Sequence, residues 1–393
     1  MNYGFDTPVV RRGTNCVKWD EDPEADILPL WVADMDFEVA PAIREAIEKR
    51  AQHPVFGYTH VPDEYYTAII NWFGRRHQWH IERDWVLYTI GVVPAVSVCI
   101  KALTEPGDKV LVQTPVYNCF FSSIRNQGCE IVESPLVYDK EQGFYSIDFA
   151  DFEQKCADPK VKVFLLCNPH NPACRVWTAD ELQRLNDICL KHGVRVVSDE
   201  IHCELTVPGV MYVPFGRVSE ACQQNGITLC SPSKSFNIAG LQTANIVCSD
   251  AALRAKIDRV INIFEVCDLN PFGPVALVAA YNEGEDWLDA LRAYIYKNYL
   301  ELSKFFREEL PEWTVTRLEG TYLAWVDISS TGMTANELAA ILKSRGRVRV
   351  CSGQIYGEEA GRDFIRINMA TQHSRLMEGL QRIVQTVRTL KES

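Results

Sequence analysis

The stretch that decides the reading is Ser231-Pro-Ser-Lys-Ser-Phe-Asn-Ile-Ala-Gly-Leu241, which follows the short apolar run 227–230. An apolar run of that length commonly forms a buried strand. Lys234 stands between two small hydroxyl residues, Ser233 and Ser235. Ser231 and Ser233 can hydrogen-bond a phosphate, and Lys234 can point into the same space. A lysine amine whose pKa is lowered by its surroundings forms a Schiff base with an aldehyde. A phosphate and an aldehyde on one molecule describe pyridoxal phosphate. A motif this short also occurs as an ordinary polar turn, so the rest of the chain has to carry the reading.

Upstream of this stretch, strands and helices alternate. Strands are expected at 85–89, 109–113, 130–134, 161–167, 194–198 and 227–230, and a further one at 246–249. Helices are expected at 94–103 and 122–127. A third runs from the capping box Thr178-Ala-Asp-Glu181 to Gly193. Near-continuous apolar strands between amphipathic helices imply an α/β fold whose largely parallel sheet is covered on both faces. Nearer the N-terminus, helices are expected from Pro41 and after Pro62, with 30–37 as a short strand and turn. Beyond residue 270 the rhythm changes: a long helix at 285–310, strands at 314–316, 322–327 and 364–368, and helices at 335–345 and 376–390. That is an α+β layer with its own core. The expected organisation is an N-terminal arm, 1–44, joined to a small C-terminal domain, 282–393, with a large domain at 45–281 between them.

Composition narrows the function classes. The 393 residues exceed one typical domain and are 47% hydrophobic and 23% charged, as in an ordinary globular protein. A net charge of −12 argues against nucleic acid as the main partner. No apolar run reaches the ~18 residues that span a bilayer, and the first residues lack the basic and apolar regions of a signal peptide. The 14 cysteines are scattered without a C-x-x-C pair, which suits a reduced, cytoplasmic protein.

In open α/β sheets ligands gather at the carboxyl ends of the strands, and several suggestive residues fall there. Gly91-Val92-Val93-Pro94 follows a strand and opens a helix, whose free N–H groups form an anion site; an ordinary strand–turn–helix reads the same way. Tyr117, in Thr114-Pro-Val-Tyr-Asn118, can stack on an aromatic cofactor or simply pack. Asn168-Pro-His-Asn-Pro172 marks a tight turn from which Asn171 can donate to a ring oxygen. Asp199 ends a buried strand, where a carboxylate is costly unless paired. A protonated pyridine nitrogen is a fitting partner and makes the ring a stronger electron sink, although a structural ion pair is the alternative. His202 can reach the same ring. His77 and His80 have a helical i, i+3 spacing, which without a nearby carboxylate reads as a solvated face; no metal is expected.

Taken in order, Asn-Pro-x-Asn-Pro, Ser-Asp-Glu-Ile-His and Ser-x-Ser-Lys resemble the aspartate-aminotransferase superfamily, fold type I, from about residue 30 to the C-terminus. Trp31-Val-Ala-Asp-Met-Asp-Phe37, Ile90-Gly-Val-Val-Pro-Ala95, Asp199-Glu-Ile-His202 and Glu319-Gly-Thr-Tyr-Leu-Ala-Trp325 are similar to its MalY/PatB branch of C–S lyases, the cystathionine β-lyases. The resemblance implies a seven-stranded-type sheet, pyridoxal phosphate as cofactor and a homodimer with shared sites. It implies Lys234 as the Schiff-base lysine, Asp199 as the pyridinium partner and His202 near the ring hydroxyl. It also implies Asn171 as the ring-oxygen donor, Tyr117 as the stacking aromatic, and Gly91, Val92, Val93, Ser231 and Ser233 as the phosphate cup. Tyr58 corresponds to a tyrosine that reaches the neighbouring subunit's phosphate. Arg366 corresponds to the arginine that clamps the substrate α-carboxylate, with the backbone at Ala33 beside it. Two departures stand out: Gln242 occupies a position where aminotransferases carry an arginine, and Ala173-Cys174 replaces the usual Thr-Gly.

The expected reaction is α,β-elimination on a thioether amino acid, giving a thiol, pyruvate and ammonia. An aminotransferase is the first alternative, against which Gln242 counts. A cofactor-bearing regulatory binding protein is the second, supported only by Ala173-Cys174.

Overall fold

The computed structural model describes residues 3–392. Its centre is a seven-stranded sheet built from β1 (Val86–Thr89), β2 (Lys109–Val112), β3 (Glu130–Glu133), β4 (Val161–Cys167), β5 (Arg195–Asp199), β6 (Gly226–Cys230) and β7 (Ala244–Val247). The spatial order is β1-β7-β6-β5-β4-β2-β3. β7 runs antiparallel to both neighbours, and every other adjacent pair is parallel. The expected mainly parallel α/β sheet is therefore present.

Side-chain alternation explains why these strands read as unbroken apolar runs. In β4, Phe164 and Leu166 enter one core with Phe152, Leu182 and Leu185, while Val163, Leu165 and Cys167 enter another with Ala95, Cys99 and Ile257. Both faces are covered by helices, so neither set of positions can be polar. β3 is the exception. It lies at the sheet edge, and its terminal residues, Glu130 and Glu133, are exposed, as charges on an edge strand should be.

A second, antiparallel sheet has the order β8-β9-β11-β10, formed by β8 (Thr314–Val315), β9 (Leu323–Asp327), β10 (Cys351–Ser352) and β11 (Phe364–Asn368). Helices Glu285–Glu309, Ala335–Ser344 and His373–Glu392 accompany it. The N-terminal arm reaches this part of the molecule, because Leu28–Pro29 pairs in parallel with Val348–Arg349.

Several expectations shift. The helix after β1 begins at Val92, so Pro94 sits in its first turn, where a missing N–H costs nothing. The seventh strand is Ala244–Val247 rather than 246–249; buried polar Asn245 within it and Thr243 just before it disguise its start. Residues 30–37 are bends rather than a strand, because side chains rather than a ladder take up their carbonyls. Helices Phe149–Cys156, Ala251–Ile263 and Gly273–Glu283 and the hairpin Val137–Asp139/Phe144–Ser146 were not anticipated. No helix among the described residues is long and apolar enough to cross a membrane.

Candidate active site

Parallel strands deliver their C-terminal ends to one edge of the sheet, and a cavity of about 300 Å³ opens there. Gly91, Val92 and Val93 after β1, Tyr117 after β2, Asn171 after β4, Asp199 and His202 at and after β5, and Ser233 and Lys234 after β6 all line it, with Ala33 from the N-terminal arm. Gln242, just before the antiparallel β7, lines it too. The fold thus brings to one cavity residues spread over more than two hundred positions, while Ser231, Arg366 and Tyr58 are not among those that line it.

The fittings of the cavity follow from local structure. Gly91 is the N-cap of helix Val92–Leu103 and supplies no side-chain cap, which leaves the first N–H groups for an anion. Ser233 faces the same end. Ser231 sits one layer behind: its hydroxyl donates to the Thr243 carbonyl at 2.6 Å and lies 2.6 Å from Ser233 Oγ. Asp199 is held by the Ile201 N–H at 3.1 Å, and no cation among the described residues lies within ion-pair distance. Burial pushes its carboxyl up to about 7. Burial pushes the His202 imidazole down to about 3, with Lys234 and Arg366 adding to it, so the ring is neutral; its Nδ1 has no hydrogen-bond partner. Lys234 Nζ donates to the Ala33 carbonyl at 2.7 Å, and burial followed by the charge of Arg366 lowers its pKa.

Arg366, on β11, is 4% exposed. Its Nη1 donates to Asn171 Oδ1 at 3.1 Å and its Nη2 to the Trp31 carbonyl at 3.1 Å. No carboxylate among the described residues pairs with it, and Nε has no partner. Because a guanidinium only donates, its bond to Asn171 Oδ1 leaves Asn171 Nδ2 as the donor available elsewhere. The Asn171 turn is buried throughout: Ala173 and Cys174 are enclosed, and Cys174 takes a positive φ of 63°. Its thiol donates to the Leu323 carbonyl at 3.3 Å, tying the turn to β9.

Two expected features lie elsewhere. Tyr58 is 97% exposed and away from the cavity of its own chain. His77 is not a solvated residue: its Nε2 lies 2.6 Å from Glu204, a carboxylate supplied from the loop after β5. Among the described residues no cluster suits a metal.

Sequence reasoning missed how the arm is fixed. Arg11 and Lys18 meet Asp34 and Asp36 in a largely buried cluster, with Arg11–Asp34 at 2.7 Å, Arg11–Asp36 at 2.8 Å and Lys18–Asp36 at 2.9 Å. Buried charges persist only when paired, so this cluster pins the bends around Ala33. The only signal was an unusual density of charge in a segment without periodicity.

The family described as aminotransferase class I and II matches residues 25–383. The chain belongs to that family. Within it, the chain is 41% identical over 383 residues to cystathionine β-lyase PatB of Bacillus subtilis (strain 168), covering 96% of this chain and 98% of that protein. It is 34% identical to protein MalY of Escherichia coli (strain K12), covering 99% and 100%. Cystalysin from Treponema denticola, solved with a pyridoxal 5′-phosphate cofactor, superposes with a TM-score of 0.96 at 36% identity, covering 99% of this chain and all of that one. The aminotransferase-family fold expected from the sequence is thereby established over nearly the whole chain.

Proposed function

We infer that this chain is a pyridoxal-phosphate-dependent carbon–sulfur lyase. It converts a thioether amino acid and water to a thiol, pyruvate and ammonia by α,β-elimination. The observation that carries the reading is the pair Asp199 and Arg366, two buried ionisable groups that each lack an opposite partner among the described residues, Asp199 lining the cavity and Arg366 bonded to cavity-lining Asn171. A protonated ring nitrogen suits the first, and a substrate α-carboxylate suits the second. The likeness to cystathionine β-lyase PatB and to cystalysin supports the choice of reaction and cofactor.

The residues present fit the cofactor. Uncapped N–H groups at Val92 and Val93 and the Ser233 hydroxyl, backed by Ser231, would hold the phosphate, and neutral Gln242 would leave it with less compensation than an arginine. Tyr117 would lie against the ring, and Asn171 Nδ2 and neutral His202 would serve its oxygen. When bound, pyridoxal phosphate supplies an aldehyde for amines and a ring that withdraws electrons from Cα. Asp199 keeps the ring nitrogen protonated. Arg366 grips the substrate carboxylate as a planar fork, with the Ala33 backbone beside it. Lys234 Nζ takes the proton from Cα as general base; its lowered pKa raises the share of neutral amine. With that proton gone the Cβ–sulfur bond would break with its electron pair on sulfur, the thiolate taking up a proton to leave as the thiol, while the released aminoacrylate takes up water to give pyruvate and ammonia.

The working unit in this reading is a homodimer in which Tyr58 completes the partner's phosphate site. Its exposure, together with that of Val55 and Phe56, supports a covered position in the assembly. The N-terminal arm, 1–44, and residues 282–393 form the small domain over the large one, 45–281; the Leu28–Pro29 pairing supports this division. Fourteen free thiols favour a reducing, cytoplasmic compartment.

Borohydride treatment of the purified, cofactor-loaded protein should fix the cofactor to the peptide containing Lys234, and the untreated protein should release thiol from S-substituted cysteines. A modified lysine elsewhere, such as Lys191, or no thiol release from any thioether, would overturn the reading.

A further inference from the structure

Two donors end on one carbonyl at the cavity wall. Lys234 Nζ lies 2.7 Å from the Ala33 carbonyl oxygen, and the Tyr322 hydroxyl donates to the same oxygen at 2.8 Å. That carbonyl is held from both sides. Asn368 Nδ2 donates to the Val32 carbonyl at 2.5 Å and to the Asp34 carbonyl at 2.6 Å. Asn237 accepts from the Met35 N–H at 3.1 Å and donates to the Met35 carbonyl at 3.1 Å. Tyr322 is fully buried, with its ring edge-on to His202 at 5.8 Å.

We propose that Tyr322 is a positioning residue for Lys234: by sharing the Ala33 carbonyl, it fixes where the free lysine amine rests and limits how firmly that carbonyl holds the charged form. A carbonyl oxygen has two lone pairs, and a hydroxyl donating into one leaves less for the second donor. Hydrogen bonds from an ionised donor are the stronger ones, so the ammonium loses more than the neutral amine from this competition. Tyr322 therefore favours the neutral amine, the form that attacks an aldehyde or accepts a proton. The other groups facing Lys234 are Arg366 and Asp199 across the cavity, Asp34 beside Ala33, His202, and Cys119 near Tyr117. Among the described residues, Ala33 alone is hydrogen-bonded to Lys234 Nζ. The inference rests on the reading of Lys234 as the amine that meets the cofactor.

Tyr322→Phe keeps the ring and removes the hydroxyl. In cofactor-free protein, acylation of Lys234 followed across pH by peptide mass spectrometry reports the amine directly, and the rate of pyridoxal phosphate uptake reports it a second way. Both midpoints should move up by about 0.5–1 pH unit in the variant, with uptake near neutral pH slowed roughly three- to tenfold. The loaded variant should lose kcat while KM stays within about twofold, because Arg366 is untouched. Site-specific 3-fluorotyrosine at position 322, a stronger donor of nearly the same shape, should move the midpoint down. Superimposable acylation profiles across these proteins would overturn the proposal, whatever happens to thermal stability. Shifted acylation in protein that takes up no cofactor would keep the positioning role and sink the proposed function; normal uptake with unshifted acylation would do the reverse.

Discussion

At the residue scale, one cause acts oppositely on the two reactive groups. Burial raises the Asp199 carboxyl to about 7 and lowers the Lys234 amine, because both lose their charged forms when water is removed. The consequence for stability has a definite sign. An unfolded aspartate titrates near about 3.9. Between there and about 7 the folded, cofactor-free protein holds a proton that the unfolded chain has released, so the Asp199 contribution grows more unfavourable as pH rises through that window, then levels. Asp199→Asn abolishes the effect. The cofactor-free variant should gain stability over the wild type from pH 4.5 to pH 8, by on the order of 3–4 kcal/mol at the upper end, while the loaded variant loses most turnover. Urea unfolding at the two pH values checks this; an equal difference at both would mean that Asp199 is already paired. Arg366 behaves differently, since its fork geometry matters as much as its charge. Arg366→Lys should raise KM for amino-acid substrates by about tenfold or more, and steady-state kinetics with an unchanged KM would place the carboxylate clamp elsewhere.

At the scale of elements, what could be read in advance was whatever depends on neighbours in sequence. Strand β4 was placed to the residue because seven consecutive positions, buried on alternate faces, leave no polar interruption except Lys162. The capping box Thr178/Glu181 was legible because its two reciprocal hydrogen bonds span three residues; Glu181 N–H lies 3.2 Å from Thr178 Oγ1 and Thr178 N–H 2.8 Å from Glu181 Oε2. Thr178→Ala should cost about 1 kcal/mol of stability and leave KM unchanged, as chemical unfolding and kinetics would show; a change in KM would tie the cap to the Asn171 turn. Elements organised by distant partners were opaque. Helix Gly273–Glu283 is apolar nearly all round and shows no period, since several faces are buried. The bends around Ala33 have no local signature because Asn237, Asn368 and Tyr322 fix them across roughly two to three hundred residues. Candidate site residues could be read where they end a strand or closely follow one, as Asp199 at the end of β5 and Lys234 in the turn after β6 do. Tyr322 and the Arg11–Lys18 cluster escaped because their roles exist only after folding.

At the scale of the whole molecule, the open question of Tyr58 becomes a statement about assembly. A two-fold interface makes any donation between subunits reciprocal, so Tyr58→Phe and Lys234→Ala homodimers should each be impaired, the second severely. In a mixed dimer, one site carries both defects and the other neither. Subunit exchange between the two variants should therefore restore activity toward one good site per heterodimer, and activity no higher than the parental average would exclude sharing. The central claim, elimination at the Asp199–Lys234–Arg366 cavity, is tested most directly by product stoichiometry. Cofactor-loaded protein is incubated with cystathionine and no added keto acid, and homocysteine, pyruvate and ammonia are measured over many turnovers. The account predicts equal amounts of all three, and their loss in Lys234→Ala. Substrate consumption that requires a keto acid, with amino transfer to it and no free thiol, would contradict it.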